Sequence, residues 1–212
     1  DIKKLNVMTI DEYVVGKENK HTFCYQIEYT LLGYGSIRGR PTAAQRYGIF
    51  WDGVRKDYSF GGKKVKKTRF GSDKDEIFNN IRSAIISLLD DIENNMTDNI
   101  IANPLSPQFK NKIGFLYNST SQIPIYSDDD LNIILAAINI PFSISADRFV
   151  KRQKLYDFYK DNGLDEKFSP LLFMNFIYSD YGYLNLLRAE NKVSLTEKEA
   201  ASIKKIKLVD IR

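Results

Sequence analysis

Apolar side chains recur three and four residues apart near the start of the chain, which is the spacing of one face of an α-helix. Within residues 22–34 this stripe comprises Phe23, Ile27, Leu31 and Tyr34. Glycines follow at positions 33, 35 and 39, and glycine commonly ends a helix because it adopts backbone conformations that other residues avoid. We therefore expect a helix up to residue 34 and a flexible, basic loop after it.

The next segment changes to the β-branched and aromatic composition that is typical of strands. Three strands are predicted, over residues 47–51, 56–60 and 63–70. The Asp52-Gly53 dipeptide between the first two indicates a tight turn, because glycine tolerates positive φ. Three short antiparallel strands are stable only when a helix covers one face, so we expect a small meander packed against a helix.

A long helix is predicted directly after these strands. Asp73 and Glu76 have the spacing of a capping box, in which each side chain accepts a hydrogen bond from a backbone N–H at the helix start. The predicted apolar stripe comprises Ile77, Ile81, Ile85, Leu88, Leu89 and Ile92. This stripe spans about four turns and supplies the face that the strands need.

From residue 104 onward the apolar pattern is helical throughout. Helix starts are predicted from N-cap serines: Ser106 before Pro107, Ser127 before the acidic run 128–130, and Ser169 before Pro170. Proline is tolerated at the first helical position, and acidic residues there complement the helix dipole. A further helix is predicted over residues 146–161, whereas residues 100–105 indicate a linker.

These elements predict an α+β fold, with a small antiparallel β-meander packed with helices and followed by an all-helical unit. The predicted domains are an α+β unit over residues 1–103 and a helical unit over residues 104–193. Residues 194–212 are predicted as a charged linker.

Composition excludes several classes of protein. The 212 residues are 43% hydrophobic and 27% charged, which is typical of globular domains. No apolar run approaches the roughly 18–20 residues of a membrane span, and no signal peptide precedes the first predicted helix. One cysteine, Cys24, and one histidine, His21, exclude an internal disulfide and a Cys/His zinc site, so we expect a cytoplasmic location.

The net charge of +4 is unevenly distributed along the chain. Residues 1–70 carry +7, residues 71–150 carry −6 and residues 151–212 carry +3. The excess is concentrated in residues 33–70, where ten lysines and arginines face only Asp52 and Asp57. Such a segment repels itself unless an anionic partner screens it, and nucleic acid is a common partner of this kind.

Motifs for catalysis or cofactor binding are missing from the sequence. The run Gly61-Gly62-Lys63-Lys64 has neither the spacing nor the Ser/Thr of a P-loop. The acidic residues 128–130 are consecutive and cannot converge on one ion, and His21 with Cys24 is better explained by packing than by nucleophilic chemistry. We expect this segment not to be an enzyme and to bind no cofactor, metal or small-molecule substrate.

The most specific functional hypothesis concerns the basic residues of segment 33–70. The candidate DNA-binding residues are Arg38, Arg40, Arg46, Lys63, Lys64, Lys66, Lys67 and Arg69, and the candidate base-stacking residues are Trp51 and Tyr47. Arginine can form paired hydrogen bonds to phosphate or guanine, and exposed rings can stack on an extruded base. Two alternatives are a solvated loop with spare lysines and a strand in which Phe50 and Trp51 alternate between core and solvent.

Several short motifs, in order, resemble the N-terminal region of McrB-type AAA+ proteins, including those of LlaJI-like restriction systems. The motifs of the first part are residues 22–28 (TFCYQIE), 35–39 (GSIRG), 46–51 (RYGIFW), 68–71 (TRFG) and 77–81 (IFNNI). Those of the second part are residues 112–117 (KIGFLY), 123–131 (IPIYSDDDL) and 173–178 (FMNFIY), which look like the segment that precedes the motor domain.

The resemblance implies a restriction subunit whose N-terminal region recognises a DNA site or a modified base. It also implies an AAA+ domain beyond Arg212 that hydrolyses GTP and acts with a McrC-like nuclease partner. The GTPase motifs themselves are absent from this sequence, and no base-reading residue can be carried over by position. The expected partners are double-stranded DNA and, through the parent protein, the nuclease, with no membrane. The alternative is a protein-interaction or assembly module of the same complex without direct DNA readout.

Overall fold

The computed structural model describes residues 2–38, 42–60 and 67–179. Helices dominate it and one small antiparallel sheet accompanies them, so the predicted α+β class is confirmed. The chain divides into two compact units after Tyr117. The predicted boundary at residues 103/104 falls one helix earlier than this division.

The first unit combines short helices, a hairpin and one long helix. Its α-helices in the described residues are α1 (Ile2–Val7), α2 (Ile10–Tyr13), α3 (Phe23–Tyr25), α4 (Ala43–Tyr47), α5 (Lys74–Glu93), α6 (Thr97–Ala102) and α7 (Pro107–Tyr117). α3 continues as a π-helix over Gln26–Thr30 and a 3₁₀ turn over Leu32–Tyr34, so the predicted helix ends where expected but changes its winding.

The long helix α5 confirms Asp73 as its N-cap and most of the predicted stripe, but within this described helix the reciprocal bond of the predicted capping box is absent and Ile92 is only half-buried. The Asp73 carboxylate accepts hydrogen bonds from the backbone N–H groups of Asp75 and Glu76. The Glu76 carboxylate accepts from the N–H of Ser72, one residue before the cap. The buried face of α5 includes Ile77, Ile81, Ile85, Leu88 and Leu89.

The prediction of a strand over residues 47–51 is wrong at its start. Tyr47 closes α4, whose first turn is held by a capping box between Thr42 and Gln45. Gly48 follows with a φ of +80° and ends the helix. The strand β1 then covers Phe50–Asp52.

The hairpin differs from the predicted meander. β1 pairs antiparallel with β2 (Asp57–Ser59), and Asp52 lies opposite Asp57, so four residues form the turn. The positive φ falls on Lys56 at +53°, whereas the expected position was Gly53. Of the predicted third strand, the described residues form only a bridge between Thr68 and Gly71, and residues 61–66 lie outside the described part.

The predicted linker over residues 100–105 is also wrong. Its first half belongs to α6, and Ile100 is buried. The side chain of Asn103 is buried as well, and its Nδ2 donates to the carbonyl of Ala84 in α5 at 2.9 Å. These contacts join α6 to α5 within one unit.

The second unit is helical in its described residues. It contains α8 (Asp128–Ala137), α9 (Arg148–Asp161), a 3₁₀ turn over Leu164–Glu166 and α10 (Pro170–Tyr178). The predicted N-caps Ser127 and Ser169 are confirmed, because Ser127 accepts from the N–H of Asp130 and Ser169 from that of Leu172, whereas the Ser106 hydroxyl donates to the carbonyl of Arg46 instead. The rest of the predicted helical unit, residues 180–193, and the predicted linker lie outside the described residues. In the part that is described, no helix combines the length and apolarity needed to cross a bilayer.

Candidate nucleic-acid interface

The predicted DNA-binding residues fall into three groups. Arg38, Lys67 and Arg69 are exposed. Arg46 is buried. The remaining four, Arg40, Lys63, Lys64 and Lys66, lie outside the described residues.

Arg46 belongs to the interior of the first unit, which corrects its assignment as a DNA contact. Its Nη1 lies 2.6 Å from Oε1 of Glu28, and 4% of the side chain is exposed. The Tyr47 hydroxyl donates to the other oxygen of Glu28 at 2.5 Å. Ser106 donates to the carbonyl of Arg46 at 2.9 Å. A guanidinium held in this way does not reach a phosphate at the surface.

The two candidate stacking residues are also constrained. Tyr47 is buried and meets Phe109 edge-on at 5.0 Å between ring centroids, so it is removed from the candidate set. Trp51 is half-buried and forms a T-shaped pair with Tyr58 at 5.2 Å. The ammonium of Lys17 lies 4.4 Å from the centroid of the Trp51 ring. A base could stack on that ring face only if Lys17 moved.

An aromatic cavity of about 520 Å³ lies next to Arg69. Phe50, Phe60 and Phe70 contribute to its lining, together with Arg69 itself. The guanidinium carbon of Arg69 lies 5.0 Å from the centroid of the Phe70 ring, and its Nη2 donates to the carbonyl of Gln45 at 3.4 Å. The cavity therefore offers ring faces for a planar group and a cation beside them.

Local sequence features explain why this cavity forms. Successive residues of a strand point to opposite faces, so Phe50 lines the cavity while Trp51 packs with Tyr58 on the other side. Both side chains are half-buried, so neither the core nor the solvent position of the predicted alternation is reached in full. At Gly48, a Cβ atom would lie 3.1 Å from the Phe70 ring, so glycine there lets Phe70 pack close.

Several described residues that adjoin the undescribed stretches 39–41 and 61–66 line this cavity. Thr42, which follows residues 39–41, contributes to the lining. Phe60 and Thr68, which flank the basic segment 61–66, also contribute to it. The cavity thus adjoins the residue after the first stretch and the residue before the second.

A pair of stacked tyrosines beside Arg38 is a second aromatic feature that the sequence analysis did not predict. The guanidinium carbon of Arg38 lies 4.6 Å from the centroid of Tyr29, and Tyr29 stacks on Tyr25 at 4.7 Å. The i, i+4 spacing of these tyrosines on a predicted helix was the available signal. Arg38 lies four residues before Thr42, so their Cα atoms are at most about 14 Å apart.

The residues considered for catalysis differ in their surroundings. Cys24 is fully buried, and burial raises the pKa of its thiol well above the usual value of 9.0, so it is unsuited to act as a nucleophile. His21 is exposed. Asp128 accepts from Lys151, and Asp130 accepts from Tyr178. Across residues 2–38, 42–60 and 67–179, no group of three or more histidine, cysteine, aspartate or glutamate side chains is placed to hold a metal ion.

Comparison with protein-family models, with curated proteins and with solved structures gives no match for this chain. The functional interpretation therefore depends on the geometry described above and on the motif resemblance.

Proposed function

We propose that the chain is the DNA-binding, target-recognition part of a McrB-like restriction subunit, and that its first unit contacts double-stranded DNA. The observation that supports this best is the placement of Arg69 at an aromatic cavity that Phe60 and Thr68 also line, with Lys67 directly before Thr68 in the chain. Arg38 is exposed and precedes the lining residue Thr42 by four positions. We call Arg38, Lys67 and Arg69 the basic surface.

The chemistry of the basic surface suits a polyanion. None of these three side chains has an ion pair of the kind that holds Arg46 among the described residues. Cations of this kind neutralise phosphates and release condensed counterions, which provides affinity without base readout. Arginine adds paired hydrogen bonds to phosphate or to a guanine edge.

The cavity gives this surface a feature that a merely basic loop lacks. Enzymes and readers that reach an atom inside a duplex rotate the base out of the stack and hold it between apolar rings. The rings of Phe50, Phe60 and Phe70 would provide such walls, and Arg69 in the same lining would supply a cation for the nucleotide's phosphate. Base extrusion into this cavity is part of the proposal.

The restriction role itself rests on the motif resemblance. In that interpretation the parent protein couples GTP hydrolysis to cleavage by a McrC-like nuclease, and the described helices supply recognition alone. A cytoplasmic location follows from that role.

Fluorescence anisotropy with a labelled duplex at several salt concentrations tests the proposal. Each neutralised phosphate contributes about 0.9 to the slope of log K against log salt, so three contacts predict a slope of about −2.7 or steeper. Absence of binding at low salt, or binding that salt leaves unchanged, would overturn the proposal.

The alternative is that the same cations dock on an acidic protein partner. Charge reversal by Arg38→Glu and Lys67→Glu separates the two functions when DNA binding and capture of the nuclease or motor partner are measured together. Loss of DNA binding with intact capture supports the proposal. If the variants lose capture of the partner and the wild-type chain binds no DNA, the result supports the assembly module.

A further inference from the structure

Lys112 is a buried lysine that connects α7 to the segment preceding Arg38. Its side chain is fully buried, and its Nζ donates to the carbonyl of Leu31 at 2.8 Å and to that of Gly35 at 2.6 Å. Leu31 follows the π-helix and Gly35 follows the 3₁₀ turn. The ammonium therefore pairs two carbonyls at the irregular end of this helical region.

The segment that Lys112 holds leads directly to the basic surface. Gly35 has a φ of +90°, a conformation that glycine adopts readily, and Ile37 is 1% exposed. Arg38 follows at the surface. One bonded carbonyl and one buried side chain thus fix the backbone from which the Arg38 guanidinium extends.

Burying an ammonium group costs free energy unless hydrogen bonds to surrounding acceptors replace those it made with water. An apolar residue in place of Lys112 would leave the carbonyls of Leu31 and Gly35 without this donor. We propose that Lys112 is a positioning residue of the basic surface, whose ammonium fixes the segment from Leu31 to Gly35 and so sets where Arg38 meets an anionic partner. This inference rests on the proposed function.

Charge couples Lys112 to the same partner. Burial lowers the pKa of Lys112 to about 8, the carboxylate of Glu28 on the π-helix raises it, and the charge of Arg38 lowers it further. Glu28 is itself paired with Arg46 of α4. An anion bound at Arg38 screens the repulsion between the two cations, so Lys112 holds its proton more tightly in the complex. Binding then takes up protons, and affinity falls as pH rises above 8.

The chain contains a matched control on the same helix. Lys110 is also buried, and its Nζ donates to the carbonyls of Ile100 and Ile101 at 2.9 and 2.7 Å. These carbonyls belong to α6, which is not part of the basic surface. Lys110→Met and Lys112→Met each remove one buried ammonium from two carbonyls, and only the second change affects the segment before Arg38.

The test measures duplex binding against salt and pH for the wild-type chain, Lys112→Met, Lys110→Met and Arg38→Gln. Lys112→Met is expected to lower the salt slope by about 0.9, as Arg38→Gln does, and the double variant is expected to lose little more. Wild-type affinity is expected to fall about two- to tenfold per pH unit above pH 8, tenfold being the limit for one proton. Lys112→Met is expected to show no such fall. Lys110→Met is expected to keep the wild-type salt slope and the wild-type fall in affinity above pH 8.

Amide hydrogen exchange supplies a readout that does not depend on DNA. Exchange in residues 33–38 is expected to accelerate in Lys112→Met and not in Lys110→Met, with α5 unchanged in both. Where Lys112→Met does not fold, Lys112→Gln replaces it, because its amide NH₂ keeps two donors without the charge.

The outcomes distinguish this inference from the proposed function. Unchanged exchange in residues 33–38, or a Lys112 variant with wild-type salt slope and pH profile, overturns the positioning role. Equal effects of the Lys110 and Lys112 variants overturn it as well, since they indicate a general loss of stability. No salt-dependent binding by the wild-type chain overturns the proposed function, and the exchange comparison still decides whether Lys112 fixes the segment.

Discussion

Replacing Arg46 by methionine removes a buried guanidinium and leaves the carboxylate of Glu28 in the interior. The pair is separated by 2.6 Å, and both side chains are less than a tenth exposed. Breaking a buried pair by removing one partner costs about 3–5 kcal/mol, because the remaining charge has lost its water and its counter-charge. We therefore expect Arg46→Met to destabilise the first unit.

The contacts of Glu28 narrow the loss of stability that we expect for Arg46→Met. Glu28 keeps the hydroxyl of Tyr47 at 2.5 Å, so part of its hydrogen bonding survives, and the expected loss lies near the lower limit, at about 3 kcal/mol. Domains are stable by about 5–15 kcal/mol, so this is a substantial share. The double variant Glu28→Gln/Arg46→Met is expected to lose less than Arg46→Met alone, since no uncompensated charge remains.

Urea denaturation followed by tryptophan fluorescence measures this effect. Trp51 is the single tryptophan of the sequence and belongs to the first unit, so it reports on the unit that contains Arg46. Arg55→Met is the control, because the Arg55–Asp52 pair is separated by 3.4 Å and is partly exposed. Exposed pairs contribute about 0–1 kcal/mol, and a loss no larger than that is expected.

One result would refute the reasoning. If Arg46→Met lost less than about 1 kcal/mol of stability and instead lowered the salt slope of DNA binding by about one, Arg46 would be a surface phosphate contact. The burial argument would then be wrong.

Three further predictions concern other parts of the fold. Gly16→Ala places a Cβ 2.2 Å from a backbone carbonyl of β1, at a position whose φ is +106°. We therefore expect urea denaturation to show a loss of stability of about 2 kcal/mol or more. The control is Gly53→Ala, whose added Cβ meets nothing within 4 Å and which is expected to be nearly neutral. Lys151→Met leaves the carbonyl of Ile144 without its donor, whereas the partly exposed Asp128 keeps Arg148 nearby; thermal unfolding is expected to show a loss of about 1–3 kcal/mol in the second unit, and no loss would contradict the burial. The pKa of Lys112 is about 8 in the folded chain and 10.5 ordinarily, so between these pH values the unfolded chain holds a proton on Lys112 that the folded chain has lost. The free energy of unfolding of the wild type is therefore expected to rise with pH over this range, by at most about 1.4 kcal/mol per pH unit. Urea denaturation of Lys112→Met is expected to show no such rise.

Local signals account for the parts of the fold that the sequence predicts well. The start of α5 depends on Asp73 and Glu76, and that of α10 on Ser169 and Pro170, all within one helical turn. α4 was missed although Thr42 and Gln45 carry the capping-box spacing, because the aromatic run that follows favours a strand. In this case the cap determines the local structure and the β propensity of Tyr47 does not.

The candidate site depends on contacts that are distant in sequence. Arg46 is as basic as its neighbours, and only the π-helix that brings Glu28 beside it, 18 residues earlier, makes it an interior residue. Lys112 meets Leu31 and Gly35 across 81 and 77 residues. Composition indicated a basic segment, whereas the contact with Glu28 places Arg46 in the interior and leaves Arg38, among the described cations, at the surface.

The change in salt slope on removing the basic surface tests the central claim most directly. Duplex binding is measured by anisotropy across a salt series for the wild-type chain and for Arg38→Gln/Lys67→Gln/Arg69→Gln. The charge-matched control, Lys154→Gln/Lys160→Gln/Lys167→Gln, changes only the second unit. The account predicts a slope shallower by about 2.7 for the first triple variant and an unchanged slope for the control. Equal slopes in all three chains, or equal losses in both variants, would contradict it.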